Sequence, residues 1–174
     1  MGCTKMISII IPTYNEEKYI KDTVNAALKV TPNVIVVDDN SPDNTQSIVK
    51  TTTATLLVKP EDVSKGKSAS INYASEFVTT EYTIVIDADT VINDASDLIE
   101  ALCDGADLVG AEVGIYTDNR AISRYESREY DFVIGTIRPL LKKLGYINNV
   151  SGAFLGIRTE LLQANPVPAE ANVS

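Results

Sequence analysis

Four aspartates stand where short apolar runs give out: Asp38 and Asp39 after Asn33 to Val37, and Asp87 and Asp89 after Tyr82 to Ile86. Asp87-Ala88-Asp89 sets two carboxylates one residue apart at a strand end. Hard oxygen donors so placed suit Mg²⁺ or Mn²⁺, with phosphate oxygens completing the shell. A third strand-end segment, Pro12-Thr13-Tyr14-Asn15-Glu16, adds a carboxylate and a phenol, and Lys65-Gly66-Lys67-Ser68 opens a helix whose amides and lysine could meet a phosphate. The chain has no His, which excludes imidazole bases, Ser-His-Asp and Cys-His nucleophile systems, and His-ligated zinc. Proton transfer must therefore use carboxylates, Lys or Tyr.

Each of these features has a plainer meaning on its own. Acidic doublets at strand ends often form turns by bonding their own backbone, and Asp-Asp-Asn-Ser-Pro is a good turn sequence. Lys65 and Lys67 alone read as a solvated helix start. The P-loop pattern needs a glycine where Glu61 stands, and the segment does not follow the first strand, so the ATPase reading fails.

The elements that must position these groups alternate in the manner of stacked βα units on a mostly parallel sheet. Strands are predicted over 6–11, 33–37, 54–58, 82–86 and 107–113, and near-continuous apolar runs such as Ile-Val-Val predict burial on both faces. Helices are predicted over 16–30, 43–50, 67–78 and 95–104, with Ser41-Pro42 as a cap and first-turn pair for the second, and Asn93 or Asp94 capping the fourth. Residues 120–143 read as a long helical stretch, split at Pro139 and carrying Arg124, Arg128, Arg138, Lys142 and Lys143. A strand over 146–150, the Ser151-Gly152-Ala153-Phe154 segment and a brief helix over 159–163 follow. No repeat or linker marks a second domain, so residues 1–164 are expected to form one domain and 165–174 an irregular tail.

Composition narrows the partners. Of 174 residues 44% are hydrophobic and 22% charged, and no apolar run is long enough to span a bilayer, which points to a soluble globular domain. Fifteen basic residues against 24 acidic ones give a net charge of −9 with no basic stripe, so nucleic acid is not an expected partner. Cys3 and Cys103 are too few for a disulfide scaffold; a buried Cys103 in a reducing, cytoplasmic compartment is expected. Met6 stands where an N-myristoyl signal wants Ser or Thr, so lipidation is discounted.

Taken together the segments resemble the inverting nucleotide-sugar glycosyltransferases of family 2, which have the GT-A fold. The resemblance rests on five pieces in the family's order: residues 8–17 (SIIIPTYNEE), 36–43 (VVDDNSPD), 66–72 (GKSASIN), 85–90 (VIDADT) and 150–154 (VSGAF). It implies that Thr13 and Tyr14, flanked by Pro12, line a nucleoside pocket and that Glu16 bonds base or ribose. One of Asp38 and Asp39 would contact the base and Lys67 the diphosphate. Asp87 would meet ribose or sugar and share with Asp89 the divalent Mg²⁺ or Mn²⁺, with Ala88 between them. Gly152 and Ala153 would border the acceptor side. The donor would be a nucleoside diphosphate sugar, with UDP-sugar favoured. The Asp-Asp-Asn-Ser-Pro-Asp segment also looks like dolichyl-phosphate mannose synthases, which use GDP-mannose. The acceptor would be a hydroxyl of a glycan or a lipid-linked compound.

One departure matters. Family members place an acidic motif after the Gly-Ala segment and its helix, and its Asp takes the acceptor's proton. Here the one late acid on the tail is Glu170, which lacks that pattern and alone reads as an exposed tail residue, so slow or incomplete transfer by this chain is expected. Two other readings fit parts of the sequence. A non-catalytic or partner-dependent nucleotide-sugar-binding module fits the missing base. A haloacid-dehalogenase-like phosphatase fits Asp87-Ala88-Asp89-Thr90-Val91, but in that family the acidic pair follows the DxD strand, whereas Asp38-Asp39 precedes it.

Overall fold

The structure is a computed structural model that describes residues 6–111 and 152–168. The predicted helical stretch 120–143, the strand 146–150, Ser151, Cys3 and Glu170 lie outside the described residues. The chain runs β1 (Ile7–Thr13), α1 (Ile20–Val30), β2 (Val34–Asp38), α2 (Thr45–Val49), β3 (Thr55–Val58), α3 (Lys67–Ser75), β4 (Tyr82–Ile86), α4 (Ser96–Cys103), β5 (Leu108–Gly110), β6 (Phe154–Arg158) and α5 (Thr159–Ala164).

Every residue of β1, β2 and β4 is buried. These three strands form the centre of a six-stranded sheet ordered β3-β2-β1-β4-β6-β5. β1 pairs in parallel with β2 and β4, β2 with β3, and β6 runs antiparallel to both β4 and β5. Because side chains alternate along a strand, Ile9, Ile11, Val34 and Val36 enter one core with α1, α2 and α4, whereas Ile10, Ile35 and Val37 enter a second core with α3 and α5. Helix α1 shows the matching period, burying Ile20, Thr23, Val24 and Ala27.

The expected mostly parallel α/β sheet is thus present, with four local corrections. First, β6 lies outside the predicted strands. Its Phe-Leu-Gly-Ile-Arg carries a strand-weakening glycine, but a Cβ on Gly156 would stand 2.7 Å from Leu102 Cδ1 and 2.8 Å from Leu98 Cδ2, so close packing under α4 requires glycine there. Second, α1 begins at Ile20 because residues 16–19 form a turn closed by the Glu16 carbonyl, which accepts from Tyr19 N (3.1 Å) and Ile20 N (3.0 Å). Third, Ser41 does not cap α2, whose N-cap is Asn44. At α4 the N-cap is Ala95, although Asp94 Oδ1 accepts from Ser96 N at 2.8 Å. Fourth, Cys103 is exposed and disulfide-bonded, not a buried thiol. It lies one residue past Leu102 on α4, about 100° around the helix from the buried side. The cytoplasmic expectation loses the ground it drew from a reduced cysteine. Among the described residues no helix is long and apolar enough to cross a membrane.

Candidate functional site

The chain leaves β1 for β2 on one side of the sheet, while β4 adds on the other side. In open α/β sheets the crevice beyond the carboxyl ends at such a reversal is where ligands bind. A cavity of about 530 Å³ opens there. The end of β1 contributes Pro12, Thr13 and Tyr14, and the turn after it Glu16. The end of β4 contributes Asp87, Ala88 and Asp89. Asp39, Lys65, Gly66, Lys67 and Ser70 complete the lining from the opposite wall.

The loop carrying Tyr14 and Glu16 is held from outside itself. The amides of Asn15, Glu16 and Glu17 donate to Ser41 Oγ (2.9 Å), Thr45 Oγ1 (2.9 Å) and Asp43 Oδ2 (3.0 Å). Glu17 Oε2 returns the contact by accepting from Asn44 N (3.1 Å) and Asn44 Nδ2 (3.0 Å). Asn15 and Asn40 take φ values of 60° and 61°, left-handed backbone that Asn tolerates better than most residues. The turn after β2 therefore serves as a cap for the turn after β1. Against a burial penalty, hydrogen bonds from the Thr45 side chain and amide and from the Glu17 amide hold the Asp43 carboxyl below its ordinary value.

Asp38, the last residue of β2, and Asp39, just past it, have different partners. Asp38 is wholly buried; its Oδ1 accepts from Ser41 N (2.9 Å) and Gln46 Nε2 (2.7 Å), and it is not among the residues lining the cavity. Asp38 thus holds the turn after β2, and of the two aspartates expected at the nucleoside it is Asp39 that reaches the cavity. Asp39 lines the cavity, and its Oδ2 accepts from Gly66 N at 2.7 Å. Its Oδ1 is buried and pairs with Lys59 Nζ at 2.8 Å. Thr13 Oγ1, also buried at the cavity wall, has no hydrogen-bond partner among the described residues.

At the acidic end, Asp87 pairs with Lys67, whose Nζ also donates to the Gly152 carbonyl at 3.0 Å. Asp87 N donates to the Ala153 carbonyl at 3.0 Å, so both residues of the Gly-Ala segment are tied to the DxD end of β4, although neither lines the cavity. Burial, followed by the charges of Asp89, Asp43 and Asp87, raises the Glu16 carboxyl above its ordinary value. The carboxylates of Asp89, Asp43 and Asp87 thus add to the burial that disfavours charge on Glu16. A divalent cation fits this donor set, because Asp87 and Asp89 are hard oxygen donors and a positive charge there relieves Glu16. Among the described residues no three such side chains are grouped closely enough to hold an ion unaided, so phosphate and water oxygens would have to complete the shell.

Sequence reasoning thus located Pro12, Thr13, Tyr14, Glu16, Asp39, Lys67, Asp87, Ala88 and Asp89, which the fold gathers around one cavity. It missed Ser70 and the buried Lys59. A lysine in Val58-Lys59-Pro60-Glu61 carries no signal of burial, and Ser70 becomes legible only once helix α3 is seen to turn its face to the cavity.

A mostly parallel sheet with an acidic switch-point crevice facing a lysine-bearing helix start defines an α/β domain of the GT-A kind. The profile described as Glycosyl transferase family 2 matches residues 8–165. The chain belongs to that family. Among curated relatives it is 30% identical over 158 residues to poly-beta-1,6-N-acetyl-D-glucosamine synthase of Staphylococcus epidermidis, covering 85% of this chain and 38% of the synthase. The synthase of the same name from Staphylococcus aureus strain COL is 26% identical over 159 residues, with the same coverage. The crystal structure of glucosyl-3-phosphoglycerate synthase from Mycobacterium tuberculosis in complex with Mg²⁺ and uridine-diphosphate superimposes with a TM-score of 0.65 at 20% identity, covering 91% of this chain and 58% of that one. The same enzyme with Mn²⁺, uridine-diphosphate-glucose and phosphoglyceric acid gives a TM-score of 0.64 at 20% identity and the same coverage. The chain spans less than half the length of the curated relatives it matches. Family membership leaves no place for the phosphatase reading.

Proposed function

We propose that this chain is the donor-binding domain of a metal-dependent family 2 glycosyltransferase. It binds a UDP-sugar and directs transfer of the sugar, with inversion, to a hydroxyl of a glycan or lipid-linked acceptor. The observation that carries this reading is the switch-point cavity, where Asp39 on one wall and the Asp87-Asp89 pair on the other stand about the start of α3. The solved structures of similar fold hold uridine-diphosphate with Mg²⁺ or uridine-diphosphate-glucose with Mn²⁺, which supports UDP as the nucleotide.

On this reading Tyr14 and Thr13 frame the nucleoside, Asp39 accepts a hydrogen bond from the base, and Glu16 bonds base or ribose. Lys67 has the reach to exchange Asp87 for the diphosphate and so to offset charge on the departing nucleotide, the place where such stabilisation acts on the barrier. Asp87 and Asp89 would hold Mg²⁺ or Mn²⁺, which as a Lewis acid neutralises the diphosphate leaving group when bound. Gly152 and Ala153 carry the edge of the site toward the acceptor. Activation of the acceptor hydroxyl needs a carboxylate, and Glu170 is the acid of the 165–174 tail that could supply it. The alternative of a binding module without turnover rests on the same donor site and differs only at that step.

The experiment is a thermal-shift and calorimetric comparison of UDP and GDP, each with Mn²⁺ and with chelator. A ligand that binds only the folded state raises its apparent stability. UDP with Mn²⁺ is expected to stabilise most. Preference for GDP would move the assignment to a GDP-mannose donor, and no shift with either would overturn the donor-site reading.

A further inference from the structure

Lys59 stands one residue past β3 and is 1% exposed, the largest wholly buried side chain among the described residues. An ammonium group withdrawn from water persists only where it is paired and hydrogen-bonded. Its partners close a ring. Lys59 Nζ lies 2.8 Å from Asp39 Oδ1 and donates to Ser70 Oγ at 3.2 Å. Ser70 Oγ donates to the Gly66 carbonyl at 3.1 Å, and Gly66 N donates to Asp39 Oδ2 at 2.7 Å. The backbone of Lys59 is fixed as well, its N–H donating to the Asp38 carbonyl and its own carbonyl accepting from Asn40 Nδ2, both at 2.9 Å. Asp39, Gly66 and Ser70 line the cavity, whereas Lys59 lies behind them.

We infer that Lys59 is the positioning residue of the nucleoside subsite, acting through Asp39 to select bases that present an N–H where the carboxylate faces the cavity. This rests on the donor-site reading above. An ionised carboxylate only accepts hydrogen bonds, through about four lone-pair positions on its two oxygens. Gly66 fixes one oxygen and Lys59 holds the other by charge, so the carboxylate cannot turn away. A pyrimidine with N–H at its ring nitrogen, as in uracil, meets an acceptor there. Cytosine puts a lone pair against that acceptor and is refused. The two bases have the same ring size, so the contrast isolates the hydrogen-bond pattern from shape.

The test measures calorimetric affinities for UDP and CDP, with Mn²⁺, for the wild-type chain and for Lys59→Met, Lys59→Arg, Asp39→Asn and the double variant Lys59→Met/Asp39→Asn. Thermal unfolding is recorded for each. Lys59→Met is expected to weaken UDP about tenfold or more, the scale of one lost hydrogen bond to a charged group, while CDP changes by less than about threefold. Lys59→Arg should recover part of the UDP preference. Because Lys59 acts through Asp39, the double variant should bind UDP no more weakly than Asp39→Asn alone. If Lys59→Met keeps the wild-type UDP to CDP ratio while Asp39→Asn loses it, or if the two losses add, Lys59 merely supports the fold and the inference falls. Should Lys59→Met fail to fold, the double variant, which buries no unpaired charge, is compared with Asp39→Asn: equal affinities support the inference, and a further loss overturns it. An unchanged ratio in Asp39→Asn overturns the donor-site reading itself, together with the inference built on it.

Discussion

Replacing Asp38 with Ala separates structural from ligand-facing carboxylates in the Asp38-Asp39 pair. The substitution removes the acceptor of Ser41 N at 2.9 Å and of Gln46 Nε2 at 2.7 Å, both at a wholly buried side chain. Hydrogen bonds to a charged group are worth about 1.5–3 kcal/mol each, so the gross loss is about 3–6 kcal/mol. Part of it is offset, since Asp38 Oδ2 has no hydrogen-bond partner among the described residues, and an unsatisfied buried polar atom costs about 1–3 kcal/mol. The net destabilisation expected is about 2–4 kcal/mol, which for a domain of this size lowers Tm by roughly 5–15 °C. Asp38→Asn, which keeps one oxygen as acceptor, should lose about half as much. UDP affinity measured well below the transition should fall far less than in Asp39→Asn. Scanning calorimetry and titration calorimetry on the same samples decide the matter: an unchanged Tm together with abolished UDP binding would place Asp38, not Asp39, at the base and refute this division of roles.

Asp89→Asn should weaken UDP binding by about as much as chelation does in the wild type; equal affinity with and without chelator would remove the metal role of Asp89. Glu16 is raised by burial and by its carboxylate neighbours, so the folded chain keeps this proton to higher pH than the unfolded chain. Its contribution to stability is greatest below the unfolded value and is lost as pH rises through the window up to the folded value. Glu16→Gln should therefore be more stable than wild type above that window and show a flatter Tm profile from about pH 4 to 7, with identical profiles counting against the acidic pocket. Gly156→Ala forces a methyl to within 2.8 Å of both Leu98 and Leu102 and should cost about 1–3 kcal/mol while leaving UDP affinity intact, as read by thermal unfolding and calorimetry. Glu170→Gln should abolish any transfer that this chain performs if Glu170 is the base, and activity that survives the substitution would place the base elsewhere.

Legibility in the sequence followed burial. β1, β2 and β4 are buried on both faces, so their apolar runs announced them without ambiguity, and their ends located most of the cavity. What failed to announce itself depends on partners distant in sequence. Ser41 has the chemistry of a helix cap, but its oxygen serves Asn15, 26 residues away, because the two turns meet over the switch point. β6 hides behind Gly156, a residue that disfavours strands and is required here by two leucines of α4. Which of Asp38 and Asp39 lines the cavity shows only in their partners: Asp38 accepts from Ser41 N and Gln46 Nε2, whereas Asp39 accepts from Gly66 N across the cavity wall. Lys59 lies in a segment of turn-forming and charged residues that gives no sign of the fully buried position its side chain occupies.

On the donor-binding reading, the charges around the cavity favour joint arrival of donor and cation. Four carboxylates line it, Glu16, Asp39, Asp87 and Asp89, with Lys65 and Lys67. Asp39 is balanced by Lys59 from behind and Asp87 by Lys67. That leaves Glu16 and Asp89 against Lys65, a net negative site before any ligand enters. A nucleoside diphosphate brings further negative charge, and drawing Lys67 to its phosphates unpairs Asp87 at the same moment. Both changes raise the negative potential at the DxD pair, where a divalent cation is most favoured once they have occurred. By linkage, whatever the nucleotide does for the cation the cation does for the nucleotide. On the donor-binding reading the acidic wall is therefore the source of positive coupling between the two ligands, and the Lys67-Asp87 pair is the switch through which that coupling passes.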